Sequence, residues 1–372
     1  MIFMENNRCA FFLGANSARG FVSFFGDAAR EDFGRDTYFI KGGPGCGKAT
    51  AIKKLASAAD PTGEREEILC SSDPGSLDGI ILRNGRAAFI DGTAPHTCDP
   101  SFPGMRGDYI ALSVYKDILA LKEKYPAAVL LDAQSKDCYT RAYRLISSAS
   151  LIDEHIRGIM TPHMPKERLI RRAKGIAARE ISKKGGVGKV RKRFIDGVTP
   201  DGYMRLYETA CALAGRIYDI YDSFGFSGIM LEVLIDAAVK NGHDLYACYD
   251  AVDTERLLHL IIPELSLAFV TSDRRRYFTG RPYRRIRLDS YLASPSLRQL
   301  RGTAKLLGRM SDSLLDRACG EIADAHALHD RIEALYRPHV DFDALDALVR
   351  TEAAAIVGVY GMERHAFGPQ RP

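Results

Sequence analysis

Apolar and polar positions follow two alternating periods along the first part of the chain. Short runs of mostly apolar residues, such as TYFI (37–40) and AAFI (87–90), are typical of buried strands. Between them, apolar residues recur at helical spacing over 52–59. Strands that alternate with helices predict parallel βαβ units, so we expect an α/β fold.

The same pattern returns about 180 residues later. LDGIILRNGRAAFI (77–90) aligns without gaps to LLHLIIPELSLAFV (257–270), and TYFI is matched by IYDI (217–220) at the same offset. At an offset of 182, GANSARGFVSFF (14–25) matches DGVTPDGYMRLY (196–207). α/β units share some of this likeness in general, but the order and length of the matches favour a duplication.

Each copy is predicted to contain a glycine-rich turn, a helix, a strand, a further helix, two more strands and a closing helical region. The helical regions span roughly 108–182 and 296–362. The sequence thus predicts two tandem P-loop NTPase-like domains with parallel sheets, each with an added helical segment. Their predicted bounds are 1–182 and 193–372, with a Gly- and Lys-rich linker at 183–192.

A glycine-rich loop separates the first strand from the helix that follows it. KGGPGCGKAT (41–50) fits the GxxxxGK motif of a phosphate-binding loop and has the strand–loop–helix context that the motif requires. Glycines let backbone N–H groups curl around phosphates, and the helix N-terminus favours an anion. A turn without a ligand is the structural alternative. The predicted nucleotide-binding residues are Gly42, Gly43, Pro44, Gly45, Cys46, Gly47, Lys48, Ala49, Thr50 and, after the second strand, Asp73.

The loop departs from the usual motif at one position. The residue after the lysine is normally Ser or Thr, whose hydroxyl binds Mg²⁺, but here it is Ala49. Thr50 comes one residue later, which is a rotation of about 100° on a helix, so its hydroxyl is expected to point elsewhere. Nucleotide binding can survive this loss, whereas metal-assisted hydrolysis depends more directly on the missing ligand.

An acidic residue after a buried strand usually completes such a site. Asp91 follows AAFI and is predicted to hold Mg²⁺, with a turn residue as the alternative. Asp132, after VLL, is a weaker candidate because its segment continues into a helical pattern. His96, in DGTAPH, is predicted either to orient water or substrate or to be a surface histidine. The predicted catalytic residues are Lys48, Asp91 and His96.

The second copy is predicted to lack a working phosphate loop. At an offset of 180, Lys48 aligns with Gly228 and Asp91 with Thr271, and the loop reads YDSFGFSG (221–228). KGGVGK (184–189) resembles a phosphate loop, but no strand precedes it and Val190 replaces the hydroxyl residue, so we assign it to the linker.

Composition and charge narrow the possible classes of function. No apolar run approaches twenty residues, and the N-terminal MIFMENNRCAFFLG lacks the order of a signal peptide. The eight cysteines are scattered without zinc spacing, so we expect reduced thiols and a cytoplasmic protein. Two segments, 171–193 and 273–287, concentrate positive charge and suggest an anionic partner, with nucleic acid as a weakly supported candidate.

The motif blocks GANSARGFVSFF, FIKGGPGCGKAT, CSSDPGSLDGIIL and AAFIDGTAPHTCDPSFPG resemble a bacterial family of tandem P-loop proteins described only as ATPases or ATP-binding proteins. The resemblance continues in RFIDGVTPDGY, LLHLIIPELSLAFVTS and HVDFDAL and covers most of the chain. It implies two P-loop domains and ATP binding, with motif blocks at 42–48, 71–73 and 91–96. Ala49, Cys46 and the absence of a second lysine-bearing loop depart from the pattern of that family.

These observations predict an ATPase or an ATP-dependent switch with one competent site, and with ATP and Mg²⁺ as ligands. A nucleotide-binding pseudoenzyme or scaffold is the alternative, and a small-molecule kinase is a variant. No NKxD motif for guanine is present, but the phosphate loop itself does not distinguish ATP from GTP.

Overall fold

The computed structural model describes residues 9–30, 35–61, 63–100 and 102–367, and their side chains as far as Tyr360. The segment considered for a signal peptide therefore lies largely outside the described residues. None of the helices in the described ranges is both long enough and apolar enough to cross a lipid bilayer.

The chain contains both helices and strands, as the apolar pattern predicts, but several strands follow one another without a helix between them. The strands are β1 (Ala10–Phe12), β2 (Gly14–Ser17), β3 (Gly20–Ser23), β4 (Asp36–Lys41), β5 (Arg65–Cys70), β6 (Asp73–Leu82), β7 (Ala87–Asp91), β8 (Tyr109–Ala111), β9 (Val190–Arg193), β10 (Asp196–Thr199), β11 (Gly202–Arg205), β12 (Arg216–Tyr221), β13 (Leu245–Tyr249), β14 (Leu257–Ile262), β15 (Leu267–Ser272) and β16 (Arg284–Arg287). The helices are α1 (Phe25–Arg30), α2 (Lys48–Ala59), α3 (Ile118–Glu123), α4 (Tyr125–Met160), α5 (Lys166–Glu180), α6 (Tyr207–Leu213), α7 (Ser227–Lys240), α8 (Arg298–Tyr336) and α9 (Phe342–Phe367).

The chain forms two compact units, each assembled from two separate stretches of sequence. The glycine-loop unit comprises residues 25–138 and 324–372, and the arginine-rich unit comprises residues 1–24 and 139–323. The divisions fall inside the long helices α4 and α8. The predicted boundary at 183–192 is therefore not where the compact units divide.

In the glycine-loop unit, the strands lie in the order β5-β6-β7-β4-β8. β4 is parallel to both of its neighbours, β7 and β8, whereas β5, β6 and β7 form an antiparallel meander. Helix α2 packs on β6 and β7, and it also packs against α9. The buried residues of α9 recur at helical spacing (Leu345, Val349, Ile356 and Tyr360), so this helix turns one apolar face toward its unit.

In the arginine-rich unit, the strand order is β16-β12-β15-β14-β13-β9, and the hairpin β10–β11 forms a separate two-stranded sheet. Helix α7 packs on β14, and α5 packs on α7. Leu169, Ala173 and Ile176 of α5 join the buried core that α7 forms with the sheet.

The strand pairing of the first sheet recurs 180 residues later in the second. Asp36 pairs with Ala87 in the first sheet, and Arg216 pairs with Leu267 in the second. β4 and β12 each lie between two parallel neighbours. In each sheet, one of these neighbours, β7 or β15, belongs to a three-stranded antiparallel meander. This is the spacing at which the sequence matches itself.

Two features of the predicted domains are corrected. First, the sheets are mixed rather than parallel. β6 lies between β5 and β7, and β14 lies between β13 and β15, and each is antiparallel to both of its neighbours. Short links such as residues 83–86 suffice for antiparallel neighbours, whereas a parallel crossover needs a dozen or more residues. Second, the added helical segments do not each pack only on the domain that precedes them in the sequence. α5, from the first predicted domain, packs on α7 of the second, and α9, from the second, packs on α2 of the first.

Candidate functional site

The glycine-rich loop lies at the carboxyl end of β4, between that strand and α2. Gly45 and Gly47 have φ angles of 68° and 80°, a region that side-chain-bearing residues rarely adopt. Lys48 is the first residue of α2, and Gly47 is its N-cap without a side-chain hydrogen bond. The backbone thus turns in the way that a loop at a helix N-terminus requires if it is to approach an anion.

Lys48 and Asp91 meet beside this loop. The Nζ of Lys48 donates to the carbonyl oxygens of Gly42 and Gly43 at 3.3 Å each, and it lies 3.9 Å from Oδ2 of Asp91. Asp91 ends β7, where Ile40 of β4 is its register partner. Its other carboxylate oxygen accepts hydrogen bonds from the backbone N–H and the hydroxyl of Thr93. The structure therefore brings together a lysine and an acid that the sequence assigns to one site.

The residues that would hold Mg²⁺ fit the ion in part. Asp91 supplies a carboxylate oxygen next to Lys48, and Mg²⁺ commonly uses one or two protein carboxylates with waters and substrate phosphates. Ala49 has no ligand atom in its side chain, and Thr50 is exposed. Among the described residues, no group of three His, Cys, Asp or Glu side chains is gathered as a metal site. Asp132 lies within α4 rather than after a strand, and it forms an ion pair with Lys136.

Cys46 is a buried part of the loop. Only 1% of its surface is exposed, and burial raises the pKa of its thiol. A Cβ atom on Gly42 would lie 2.5 Å from the Cys46 sulfur. The loop is therefore tightly packed, and Cys46 is one of the residues that fill its interior. A reactive thiol would instead need to be exposed and to have a low pKa.

A carboxylate from α8 is hydrogen-bonded to the loop. The N–H of Gly45 donates to Oε1 of Glu333 at 3.1 Å. Hydrogen bonding from His329 lowers the pKa of Glu333, and the Gly45 N–H and the Lys48 charge act in the same direction, whereas burial opposes them. One of the backbone donors that would serve a phosphate is thus bonded to an anion of the protein itself.

Two tyrosines cover the neighbouring glycine. A Cβ atom on Gly43 would lie 2.7 Å from the Tyr115 hydroxyl and 3.3 Å from the Tyr336 ring. The two ring centroids are 6.4 Å apart. A side chain at position 43 would therefore require Tyr115 to shift, because its hydroxyl approaches the backbone of the loop this closely.

Asp73 and His96 are less directly placed at the loop than the sequence predicts. Asp73 begins β6 at the same sheet edge as the loop, with β7 between β6 and β4, and its Oδ1 accepts a hydrogen bond from the N–H of Gly75. His96 is buried, with its Nε2 3.1 Å from Oδ2 of Asp78 and its ring 4.3 Å from that of Phe25. The alternative of a surface histidine is therefore wrong for His96.

The corresponding loop of the arginine-rich unit is closed by its own aspartate. Asp222 accepts hydrogen bonds from the N–H groups of Phe224, Gly225 and Ser227 at 3.2, 3.0 and 2.6 Å. Burial raises its pKa, and the hydrogen bonds oppose that shift. The backbone donors around the start of α7 are thus already used, in addition to the missing lysine at Gly228.

Several arginines of the segment 273–287 form ion pairs inside the arginine-rich unit. Arg274 and Arg275 both pair with Asp153 and Asp312, and Arg285 pairs with Asp219. Because these arginines are already paired with carboxylates of the protein, their charges are less available to an anionic partner.

No local sequence motif marks Glu333, Tyr115, Tyr336 or Asp78 as residues near this loop. The only available signal was HALH (326–329), because His329 is one helical turn before Glu333 and lies 3.5 Å from its carboxylate. Nothing in the sequence connects residue 333 with residue 45. No family model matches this chain, and no curated protein or solved structure is significantly similar to it.

Proposed function

We propose that this protein binds a nucleoside triphosphate, with ATP favoured, at the loop 42–47. The observation that carries the proposal is the meeting of Lys48 and Asp91, 3.9 Å apart, beside a glycine loop at a helix N-terminus. Lys48 would neutralise the terminal phosphates, and the backbone N–H groups of the loop would hold their oxygens.

Binding requires the loop to exchange one anion for another. A phosphate oxygen at the Gly45 N–H takes the position of the Glu333 carboxylate, so Glu333 must move away as the nucleotide enters. Asp91 would hold Mg²⁺, which would neutralise charge on the phosphates during their transfer.

Calorimetric titration with ATP, with and without Mg²⁺, tests the proposal. We expect one site per chain, and we expect Lys48→Ala to weaken binding by about a hundredfold, because a charge-assisted contact to phosphate is lost. Lys53→Ala, on the same helix, is the matched control for the loss of one positive charge. Equal affinity of the wild-type protein and Lys48→Ala would refute the proposal.

A nucleotide-binding pseudoenzyme is the second candidate, and Ala49 is the observation that favours it. A serine at this position would supply the hydroxyl that normally binds Mg²⁺ in such a loop and that Ala49 cannot supply. If the protein is a weakened ATPase, Ala49→Ser raises the rate of phosphate release in the presence of Mg²⁺ at least tenfold. A variant that binds ATP but stays without turnover would identify a binding protein.

A further inference from the structure

A cavity of about 290 Å³ adjoins the glycine loop within the same unit. Tyr115 and Tyr336 both line it, and the same two tyrosines lie against Gly43. The cavity therefore shares two of its lining residues with the surroundings of the loop in which the phosphates are proposed to bind.

The lining of the cavity is mostly apolar and aromatic. Besides the two tyrosines, it includes Ile118, Leu121, Tyr125 and Leu335, together with Lys122 and Lys124. Ile118 and Tyr125 remain 56% and 71% exposed. Apolar walls with a few polar groups at one side are typical of sites for small organic ligands.

The size and chemistry of the cavity suit one part of a nucleotide. Its volume is near the lower end of the usual range for ligand sites, which is about 300–1,000 Å³. A planar heterocycle can stack on aromatic rings, and the two lysine ammonium groups can donate to its ring nitrogens. None of the lining residues carries a carboxylate, the group that would best accept hydrogen bonds from the two donors on the edge of guanine.

We propose that this cavity binds the adenine ring of the nucleotide whose phosphates lie in the loop 42–47. The inference rests on the proposed function and adds the part of the site that selects the base. Tyr115 and Tyr336 connect the two parts of the proposed site, because they line the cavity and also lie against Gly43 of the loop.

The test compares ATP with inorganic tripolyphosphate, which has the phosphates without the base. Ala128 lines the cavity, so Ala128→Trp fills it, while Ala127→Trp places the same side chain on an exposed neighbouring position of α4. We expect Ala128→Trp to weaken the affinity for ATP at least tenfold and to leave the affinity for tripolyphosphate unchanged. Ala127→Trp should leave both affinities unchanged. Thermal unfolding of each variant checks that the unit remains folded.

The outcomes separate the two proposals. If the wild-type protein binds both ligands and Ala128→Trp still binds ATP normally, the adenine site is refuted while the phosphate loop stands. If neither ligand binds the wild-type protein, the proposed function fails, and the base site fails with it.

Photolabelling gives a readout that does not depend on a substitution. Irradiation with 8-azido-ATP is expected to modify peptides that contain residues 115–128 or 335–336, and excess ATP should prevent the reaction. An ATP-protected adduct confined to other parts of the chain would overturn the assignment.

Discussion

The two loops that follow β4 and β12 occupy equivalent places in equivalent sheets, yet each is bonded to a carboxylate of different origin. In the glycine-loop unit, the partner of Gly45 is Glu333, which is 288 residues away along the chain. In the arginine-rich unit, Asp222 belongs to the loop itself and satisfies three of its N–H groups.

The two carboxylates differ in how easily they can be displaced from the N–H groups of their loops. The Glu333 side chain is 43% exposed and makes one hydrogen bond to the loop, whereas the Asp222 side chain is buried and supports the start of α7. A backbone suited to an anion can therefore be kept for an external ligand or used permanently for internal stability. The second loop shows the permanent use, because three of its N–H groups are bonded to a buried carboxylate of the loop itself.

The largest expected effect is on stability, at Asp222. Asp222→Ala leaves three N–H groups of the second loop without their acceptor, so we expect the free energy of unfolding to fall by roughly 3 kcal/mol. Urea denaturation measures this value, and hydrogen exchange of α7 peptides assigns the change to the arginine-rich unit. Asp222→Asn, which keeps one acceptor oxygen, should lose less. Stability within about 0.5 kcal/mol of the wild-type protein would contradict a structural role for this carboxylate.

A second effect is the pH dependence contributed by Asp273, beside the second loop. Burial opposes ionisation of this residue, but Arg205 and Arg275 outweigh it and hold its pKa at about 2. The folded pKa is lower than the unfolded value of about 3.9, so the stabilisation is complete above pH 4 and is lost as the pH falls toward 2. Its size is roughly 2–3 kcal/mol.

Asp273→Asn removes this titration. Urea denaturation at pH 6 and at pH 3 should show that the gap between wild-type and variant stability narrows at the lower pH. A gap that is independent of pH would mean that the carboxylate contributes no linkage, and the ion pairs with arginine would then have no measurable role in acid stability.

The smallest expected effect is on ATP affinity, at Glu333. Glu333→Ala frees the Gly45 N–H and removes a negative charge next to the phosphates, so we expect ATP to bind about three- to tenfold more tightly. Asp330→Ala removes an exposed negative charge from the same helix and serves as the control. Unchanged affinity in Glu333→Ala would show that this carboxylate does not compete with phosphate.

Local sequence patterns predict the elements at the centre of each sheet and the residues nearest the loop. The apolar runs locate β4 and β7, and the glycine motif locates Lys48 at the first position of α2. These features depend on neighbouring residues, so periodicity and turn chemistry are sufficient. Asp91 was found for the same reason, since it directly follows an apolar strand.

One missed strand lacks a clear local pattern, and the other missed features depend on contacts between distant residues. β6 has a glycine-interrupted pattern, DPGSLDGIIL, that does not identify it as a strand separate from its neighbours. The pairing of α9 with α2 and of Glu333 with Gly45 joins segments nearly 300 residues apart. An apolar helix face shows that a partner exists, but the sequence of that face does not specify which surface it covers.

The discontinuous composition of the glycine-loop unit also determines when it can be completed during synthesis. Residues 25–138 leave the ribosome long before α9, and about 280 residues separate α2 from α9. At 5–20 residues per second, synthesis of α2 precedes that of α9, which packs against it, by roughly 15–60 s. The arginine-rich unit, by contrast, has all of its residues by position 323. The glycine-loop unit is therefore the later of the two units to have all of its residues, because it includes residues beyond position 323.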